Sequence, residues 1–451
     1  MKYTKKKEFY RQLVLLTMPI SLTSLIAFGA GLADTLMMGA LSEMHLSAVA
    51  LANQPGFVFT LFISGLSGGA SVMVAQYWGK GDVTSIHRIL TTMYRALILG
   101  GLLFTLTALF FSVQLMGIFT ADLRVIEEGA RFLRIICFSF LAIGISGASL
   151  VILRSVGAVR IALYVSVISL SAKAFLNWVF IFGNLGALKM EIEGAAIASV
   201  VSRLIEFILV AAYILKIDKK IQFRLKYLFL PKVELLREYV RHGGPVFINE
   251  FVWGIGAAML AVIIGRMGME FTAANSITVT LGHFVTIVNF SIAGAASVII
   301  GNTVGSGQYD KARAYGNMLT IISIGTGLVS FGLMQILKYP MLNLYNVSEL
   351  TLRYSRQFID IFSVIVIVQS IVCMIIVGMQ RGGGDTRFAM VIDVIFMWTL
   401  SIPLGFLGGL RWGWAAPLVF FVLKGDEILK MAFCLYRIKS GKWIIDVTAS
   451  A

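Results

Sequence analysis

Two related stretches, 226 residues apart, decide the fold of this chain. Residues 70–81 read Ala-Ser-Val-Met-Val-Ala-Gln-Tyr-Trp-Gly-Lys-Gly, and residues 296–307 read Ala-Ser-Val-Ile-Ile-Gly-Asn-Thr-Val-Gly-Ser-Gly. Each is an apolar run that ends in small and polar residues. Repetition at a fixed spacing is the sequence signature of a chain built from equivalent structural units. The chain is therefore predicted to consist of two homologous halves.

The correspondence extends on both sides of these stretches. The same offset pairs Pro19 with Pro245, Gly39 with Gly265, Ala48 with Ala274 and Thr60 with Thr286. An offset one residue longer pairs Arg154, Gly157 and Arg160 with Arg381, Gly384 and Arg387. Chance matches between small residues are common in apolar sequence, but matched polar ends of the same runs are not.

The composition places both halves in lipid. Of the 451 residues, 58% are apolar and only 14% are charged, whereas a soluble domain carries about 25% charged residues. A helix needs roughly 20 apolar residues to cross a bilayer, and it satisfies its own backbone hydrogen bonds there. The apolar runs that meet this length lie at about 13–38, 47–78, 89–112, 132–154, 161–183, 193–215, 243–265, 272–302, 315–337, 356–380, 388–409 and 412–436.

These runs predict an all-α polytopic membrane protein with twelve transmembrane helices in two pseudo-symmetric six-helix lobes. The N-terminal tail, the segment between spans six and seven and the C-terminal tail are basic, which places all three in the cytoplasm. An even number of spans in each half makes the repeat parallel, so that two bundles can rock about a site between them. The predicted parts are lobes at 1–215 and 243–438, a cytoplasmic linker at 216–242 and a cytoplasmic tail at 439–451.

The residue content also excludes several function classes. The net charge of +15 does not indicate nucleic-acid binding, because the basic residues lie in short segments between apolar runs. Cys137, Cys373 and Cys434 lie in separate apolar runs, so we expect neither disulfides nor a cysteine metal site. The chain has no Gly-x-x-x-x-Gly-Lys-Ser/Thr phosphate loop, and four scattered histidines do not form a catalytic cluster. It is predicted not to be an enzyme and to need no cofactor.

Short motifs in a fixed order run along the whole chain. Span one contains Ala33-Asp34-Thr35-Leu36-Met37-Met38-Gly39, span two ends in Ala75-Gln76-Tyr77-Trp78-Gly79-Lys80-Gly81-Asp82, and span five contains Asn177-Trp178-Val179-Phe180-Ile181-Phe182-Gly183. Further matches are 194–198, Gly382-Gly383-Gly384-Asp385-Thr386-Arg387, Asp426-Glu427 and Ser440-Gly441-Lys442-Trp443. In order and spacing they resemble the multidrug and toxic compound extrusion family, called MATE.

This resemblance implies a secondary antiporter that exports cationic or amphipathic organic compounds in exchange for Na+ or H+. The implied partners are small-molecule organic cations and membrane lipids. The implied protein is a monomer of a bacterial or archaeal inner membrane, with both termini in the cytoplasm. The alternative is a flippase for a lipid-linked or polar head group. A flippase is expected to show extra spans and an arginine-rich cavity, whereas the deepest ionisable residues here are mainly carboxylates.

Ionisable residues within spans are the candidate coupling groups, because each costs roughly 2.5–3.5 kcal/mol at a helix centre on insertion scales. Asp34 lies late in span one, and the resemblance makes it a functional carboxylate of the N-terminal lobe. A hydrated residue near the outer interface is the alternative interpretation.

Glu250 and Asp360 are the candidates of the C-terminal lobe. Glu250 follows Pro245 and Asn249 in span seven, where a proline frees a backbone carbonyl, and Asp360 lies near the start of span ten. The resemblance implies a cation site formed by these two helices, with Glu250 and Asp360 as candidate Na+ ligands. Arg356 lies one turn before Asp360, where some family members have tyrosine. The alternative to a cation ligand is that Asp360 only pairs with Arg356, in which case a fixed cation occupies part of the site.

Several other polar residues are candidate supports of a substrate cavity. Lys173 lies one turn before Asn177 in span five and is expected to neutralise Asp34 or to change charge, while Asn177 hydrogen-bonds across helices. His283 is a candidate proton relay or a packing residue, and Asp393 faces either the cavity or the loop arginines. Ile181 replaces an aspartate of some members, which weakens a purely N-lobe ion site. Two groups are expected to be structural: Arg203 with Glu206, and a solvated, mutually paired end of span twelve formed by Lys424, Asp426, Glu427 and Lys430.

The orientation is testable by labelling. In a protein without native cysteines, Lys219→Cys in the linker should react with membrane-impermeant maleimide only from the inside, because basic segments are retained in the cytoplasm. Lys189→Cys, in an outer loop, is the matched control and should react in intact cells. Labelling of Lys219→Cys from outside intact cells would contradict the twelve-span arrangement.

Overall fold

A computed structural model describes residues 2–39, 41–186, 188–229, 235–345 and 347–449, without the side chains of residues 2–5 and 43. Lys232 of the predicted linker lies outside the described residues. The described part of the chain is almost entirely helical and forms no β-strand, as expected where a backbone must satisfy its own hydrogen bonds. One isolated bridge joins Gly384 to Ile444.

The first half of the chain contains eight α-helices, seven of which form its six spans. They are α1 (Lys2–Gly39), α2 (Glu43–Lys80), α3 (Val83–Phe110), α4 (Ser112–Phe119), α5 (Leu123–Ile136), α6 (Phe140–Ser155), α7 (Arg160–Phe182) and α8 (Glu191–Ala212). A 3₁₀ turn at Cys137–Ser139 joins α5 to α6, so that these two helices form span four. The short α4 lies between spans three and four. A π-helical turn at Tyr213–Ile217 continues α8.

The second six spans are formed by seven α-helices. They are α9 (Leu236–Arg266), α10 (Met269–Gly305), α11 (Tyr309–Leu342), α12 (Glu349–Cys373), α13 (Thr386–Phe396), α14 (Ile402–Phe406) and α15 (Ala416–Lys439). A π-helical turn at Met374–Gln380 extends α12, and a second at Met397–Ser401 joins α13 to α14. Helix α9 begins at Leu236, so the last residues of the predicted linker are helical.

Within the described residues, 11 helical segments are long and apolar enough to cross a membrane. They correspond to spans one to eleven. The twelfth, α15, has 24 residues, but it carries Lys424, Asp426, Glu427 and Lys430 in its middle. Large apolar side chains such as Leu99 and Ile321, each 71% exposed, lie on outer helix faces. Such surface is costly in water and is expected against lipid.

The backbone reproduces the sequence repeat. Gly81 and Gly307, which the first offset pairs, both adopt a positive φ, at 81° and 74°. Gly157 and Gly384, which the second offset pairs, do so at 73° and 87°. A left-handed residue at the end of a helix favours glycine, since other side chains are strained there. The two halves therefore end equivalent helices in the same way.

Helices α2 and α10 approach each other through repeat-equivalent glycines. A Cβ atom on Gly79 would collide with the backbone of Asn302, and a Cβ atom on Gly305 would collide with the backbone of Gln76. The offset makes Gly79 equivalent to Gly305 and Gln76 equivalent to Asn302. Each helix therefore presents the same surface to the other, as a pseudo-twofold repeat requires. Small residues permit this backbone contact, which is a common mode of helix association in membranes.

Contacts divide the chain into two compact units. The N-terminal unit comprises residues 22–74 and 82–239, and the C-terminal unit comprises residues 1–21, 75–81 and 240–451. The first part of α1 and the last residues of α2 thus belong by contact to the C-terminal unit, where the Phe9 ring packs on Tyr315 at 4.4 Å. The predicted lobe limits at 215 and 243 follow chain order alone, and they stay a prediction.

Aromatic packing fills the core of each unit. In the N-terminal unit, Phe59 contacts Phe104 at 5.0 Å and Phe140 at 5.3 Å between ring centroids. In the C-terminal unit, the ring of Phe358 stacks on that of Phe420 at 4.3 Å. Such pairs contribute about 0.5–1.5 kcal/mol each beyond the area that they bury. These cores hold the helices on which the polar groups of each unit lie.

The segments predicted as linker and tail are both held in place. In the linker, the Ile221 carbonyl lies 2.6 Å from Nε2 of His87, and the Leu228 carbonyl accepts from Arg95 at 2.7 Å. In the tail, the Ile445 amide donates to the Gly383 carbonyl at 2.7 Å, and Trp443 is 1% exposed. Burial would raise the pKa of Asp446, but hydrogen bonds from Thr448 and Tyr309 lower this pKa below its ordinary value.

The glycine contact between α2 and α10 can be tested by adding one methyl group. Gly305→Ala should destabilise the protein by about 1–3 kcal/mol, because its Cβ atom meets backbone rather than a movable side chain. Gly325→Ala on α11, where no atom lies within 4 Å, should have little effect. Thermal unfolding in detergent measures both. Equal unfolding temperatures for Gly305→Ala and Gly325→Ala would show that α2 and α10 can move apart to accommodate a methyl group without a loss of stability.

Candidate functional site

The N-terminal unit contains a polar cavity of about 330 Å³. Asp34 of α1 and Lys173 and Asn177 of α7 line it, together with Asn53 and Arg203. Residues 173 and 177 are one turn apart, so their side chains leave α7 on the same face. Lys173 and Asp34 contact each other in this cavity, which is the contact that one of the two roles expected for Lys173 requires.

The Asp34 carboxylate is held by two donors from α7. The Lys173 ammonium donates to Oδ2, and Nδ2 of Asn177 donates to Oδ1 at 2.8 Å. The side chains of Asp34 and Lys173 are 31% and 18% exposed, so the pair is open to the cavity. Oδ1 of Asn177 is buried without a hydrogen-bond partner. The site therefore contains the Asp34 carboxylate, which is already paired with Lys173, and the Asn177 side-chain oxygen, which still lacks a hydrogen-bond donor.

Two other predictions for this unit can be compared with the structure. Nη1 of Arg203 donates to Glu206 at 2.7 Å, which confirms the predicted pair on α8, and Glu206 also accepts from Ser146 at 2.8 Å. Ile181 lines the cavity on the same face of α7 as Asn177. The cavity wall is therefore apolar at the position where some family members carry a second carboxylate.

Glu250 forms an ion pair in the C-terminal unit. Its Oε1 accepts from Nη2 of Arg381 at 2.9 Å, and the two side chains are 20% and 18% exposed. Asn249, which precedes it, is 4% exposed and leaves Oδ1 without a partner. An arginine stays charged in proteins, so the Glu250 carboxylate has a permanent counter-ion.

Asp360 pairs with Lys338 and not with Arg356. The Lys338 ammonium on α11 donates to both carboxylate oxygens, at 2.6 and 2.7 Å, and Gln335 donates to Oδ1 at 3.1 Å. Arg356 is exposed, so the predicted pairing within one turn of span ten is wrong. A lysine on another helix supplies the fixed cation that the sequence assigned to the arginine.

The structure does not bring Glu250 and Asp360 together. Glu250 contacts Arg381, which follows Asp360 by 21 residues along span ten. At 1.5 Å per residue this places the partner of Glu250 roughly 30 Å from Asp360 along the helix. Ligands of one Na+ lie within a few ångströms of each other, and each carboxylate already has a basic partner. These residues do not fit a shared sodium site, and their individual roles in coupling stay predictions.

A second cavity, of about 380 Å³, lies in the C-terminal unit. The charged residues of α15 form one wall of this cavity. The sequence predicted that these residues form a solvated helix end, and that prediction is wrong. The Lys430 ammonium is 2% exposed and lies 2.9 Å from Asp426, 2.9 Å from Asp393 and 3.8 Å from Glu427. The expected mutual pairing is present, but it is buried. Asp393 pairs with Lys430 of this cluster and is not among the residues that line the cavity, so the structure shows neither of the two orientations expected from the sequence.

His283 is exposed on α10. Among the described residues its ring has no hydrogen-bond partner, so the structure provides no relay through it.

Comparisons with known proteins match this architecture. The MatE family model matches residues 19–179 and 245–407, one copy in each half. The chain belongs to the MatE family. A probable multidrug resistance protein NorM of Thermotoga maritima is 26% identical over 97% of this chain and 93% of the relative. Another protein of that name, from Bacillus anthracis, is 25% identical over 90% of each chain.

The fold matches solved transporters of the same family. A crystal structure of a mutant of the Vibrio cholerae MATE transporter VcmN superposes with a TM-score of 0.87, at 15% identity, over 98% of this chain and 99% of that one. The predicted fold class and the resemblance to the MATE family are therefore confirmed. The chain is a member of a family of membrane transporters rather than of enzymes.

The sequence contains a feature that could have identified the buried charges of α15. This MatE chain places Lys424, Asp426, Glu427 and Lys430 within seven residues of an otherwise apolar span. Residues three and four apart share a helix face, so at least three of them point the same way. A charged face in mid-span is a functional candidate by default. The expected solvated end is wrong because these residues lie in the middle of α15 and not at its end.

The Asp34–Lys173 contact can be tested by a double-mutant cycle. Lys173→Gln should destabilise the protein by about 1–2 kcal/mol because it leaves Asp34 without its counter-ion, and Asp34→Asn/Lys173→Gln should recover most of that loss. The exposed pair of Arg313 and Asp310 is the control, and Arg313→Gln should change little. Thermal unfolding in detergent gives the four midpoints. Additive losses in the double variant would exclude a direct interaction.

Proposed function

We propose that this MatE protein is a secondary efflux antiporter that exports cationic or amphipathic organic compounds in exchange for Na+ or H+. The observation that carries this function is the Asp34 carboxylate in the N-terminal cavity, held by a lysine and an amide from another helix. Two relatives are named as probable multidrug resistance proteins, which supports the same direction of transport. The flippase alternative has no supporting observation in either cavity.

Export requires that the driving ion and the exported compound favour different conformations of the protein. Only a difference in their binding free energy between conformations can produce that bias. Asp34 suits this role because its present partner, Lys173, is tethered to α7 and is therefore available only in conformations that keep α1 and α7 in register. A mobile cation or a proton can neutralise Asp34 when that contact opens. We propose Asp34 as the exchange carboxylate and Lys173 as the group that competes for it.

Glu250 and Asp360 are proposed as secondary candidates. Both are carboxylates in spans, but both have basic partners in the described structure, Arg381 and Lys338. Of these partners only the lysine has an accessible neutral form, since arginine remains charged. A change of charge is therefore more easily accommodated at Asp360 than at Glu250. The protein is proposed to act as a monomer in a bacterial or archaeal inner membrane with cytoplasmic termini.

The decisive experiment is transport in proteoliposomes. We expect wild-type protein to move a fluorescent organic cation when a sodium or a pH gradient is imposed separately, and the effective gradient identifies the coupling ion. Asp34→Asn, which removes the charge and nearly preserves the shape, should fold and insert but lose at least about tenfold in transport rate.

Asp310→Asn is the matched control, since it removes one carboxylate charge from a side chain that is 99% exposed. It should transport like the wild type. Normal transport by Asp34→Asn at equal reconstitution would exclude Asp34 as the coupling group. If Asp34→Asn transported normally and a folded Glu250→Gln protein did not, coupling would belong to the C-terminal unit.

A further inference from the structure

A further cavity, of about 220 Å³, lies in the N-terminal unit and is not used by the transport step proposed at Asp34. Its wall is formed by α3, α6 and α8 and is completed by residues of the linker. The hydroxyls of Tyr94 and Ser149, which reach this wall, hydrogen-bond to each other at 2.7 Å. The cavity therefore suits an apolar occupant. Its apolar lining includes Ile98, Ile145, Phe207, Ile214, Phe223 and Leu228.

The part of the linker that completes the wall is fixed to α3. The Leu228 carbonyl accepts two hydrogen bonds from the Arg95 guanidinium, at 2.7 and 3.0 Å. The Phe223 ring is 4% exposed, and its centroid lies 5.5 Å from that of the Tyr94 ring. Contacts to both backbone and side chain hold this segment in one place. The cavity is therefore a preformed feature of the fold, as binding sites for small molecules usually are.

The outer surface of the same segment is strongly basic. Residues 216–229 contain five basic residues and one acidic residue. The acidic one, Asp218, is 8% exposed and accepts from the backbone amides of Ile221 and Gln222, at 2.8 and 3.1 Å. Its charge is thus engaged within the segment, whereas the basic side chains reach the surface. The exposed basic residues are Lys216, Lys219, Lys220, Arg224 and Lys226.

Large apolar side chains lie among these charges. Ile217 is 62% exposed, Leu225 is 55% exposed and Phe229 is 84% exposed. Basic and apolar side chains that alternate in this way are typical of a segment that rests on a membrane surface, with its apolar groups among the acyl chains. Leu225 also lines the cavity. The surface that is expected to face lipid is therefore continuous with the cavity.

The occupant that satisfies both parts of this surface combines an apolar chain with an anionic group. Lining residues of α8 extend from Phe207 to Leu215, which corresponds to roughly 12 Å along the helix and gives an apolar wall for an extended chain. The basic excess of the linker predicts that it lies at the cytoplasmic leaflet. That leaflet carries anionic lipids, and basic pockets between spans on this side of a membrane bind their headgroups.

We propose that the cavity and the linker form a binding site for an anionic phospholipid. One acyl chain lies in the cavity between α3, α6 and α8, and the phosphate lies beside Arg224, Lys226 and the other exposed basic residues of 216–229. Among the described residues, this site shares no lining residue with the cavity that contains Asp34. Binding needs neither an ion gradient nor a transported compound, so the site can be tested whether or not coupled transport is observed.

The headgroup is tested by native mass spectrometry of purified full-length protein in detergent. The protein is titrated with dioleoylphosphatidylglycerol or dioleoylphosphatidylcholine, which have the same acyl chains but differ in net charge. The wild type should bind the first phosphatidylglycerol at least about tenfold more tightly than phosphatidylcholine. Arg224→Gln/Lys226→Gln should remove most of this preference, since each basic residue near an anionic lipid contributes about fivefold in affinity. Lys439→Gln/Lys442→Gln, which removes two exposed basic residues of the tail, should retain it.

The acyl-chain cavity is tested separately by filling it. Ala211→Phe places a ring in the cavity and should weaken binding of the first phosphatidylglycerol by about tenfold, without lowering the unfolding temperature. Ala212→Phe is the matched control, because Ala212 is exposed on the same helix and is not among the lining residues. It should bind lipid like the wild type. Weaker binding by Ala211→Phe at an unchanged or raised unfolding temperature supports the site, since misfolding lowers that temperature.

Two results would overturn the site. One is equal affinity of the wild type for the two lipids, and the other is equal lipid binding by Ala211→Phe and Ala212→Phe. The same spectra also report the oligomeric state. If the wild type forms dimers that Ala211→Phe converts to monomers, the cavity belongs to a contact between two copies of this chain, and the assignment to a phospholipid is wrong.

Discussion

The constraint on which this structure depends is that a carboxylate within a lipid-embedded bundle must have a positive partner. Asp34, Glu250, Asp360 and the α15 cluster each meet it with a basic side chain, in most cases from another helix. Such pairs are costly to form and more costly to break, because the remaining charge is then left in a poorly solvated place. They therefore fix which helices stay neighbours, and they limit the conformations in which each carboxylate is free to bind something else.

The identity of the basic partner determines what each pair can do. Lysine has an accessible neutral form and a flexible stem, whereas arginine remains charged and is held in a planar fork. The Asp34 and Asp360 pairs use Lys173 and Lys338, and the Glu250 pair uses Arg381. We therefore assign Glu250 mainly to holding α9 against the end of span ten. From the sequence alone, Glu250 is the strongest candidate for the coupling carboxylate, because it lies near Pro245 and next to Asn249. Its pairing with an arginine makes it a weaker candidate than Asp34 or Asp360.

The sequence predicted the fold more closely than it predicted the site, for a physical reason. Span positions depend on local hydropathy, and the repeat depends on matched residues such as Gly81 and Gly307, so both can be read along the chain. Ion pairs depend on which helices become neighbours. Spacing along the chain offers only Arg356, one turn away, as a basic partner of Asp360, but Lys338 on α11 pairs with it instead. The contact of Lys173 with Asp34 was one of two alternatives for Lys173, which lies in the middle of span five and one turn before Asn177.

The repeat has preserved the backbone of the two halves while their polar groups have diverged. The offsets that align the glycines place Leu260, Leu400 and Leu404 at the positions of Asp34, Lys173 and Asn177. Leu260 lines the C-terminal cavity just as Asp34 lines the N-terminal one. In the other direction, Lys430 and Asp426 correspond to Arg203 and Ser199, which also line the N-terminal cavity. The two cavities are thus equivalent in the fold, but one has its carboxylate on the first span of the repeat and the other has its carboxylates on the last. Cavities that differ in this way in the number and place of their charges do not bind one cation equally.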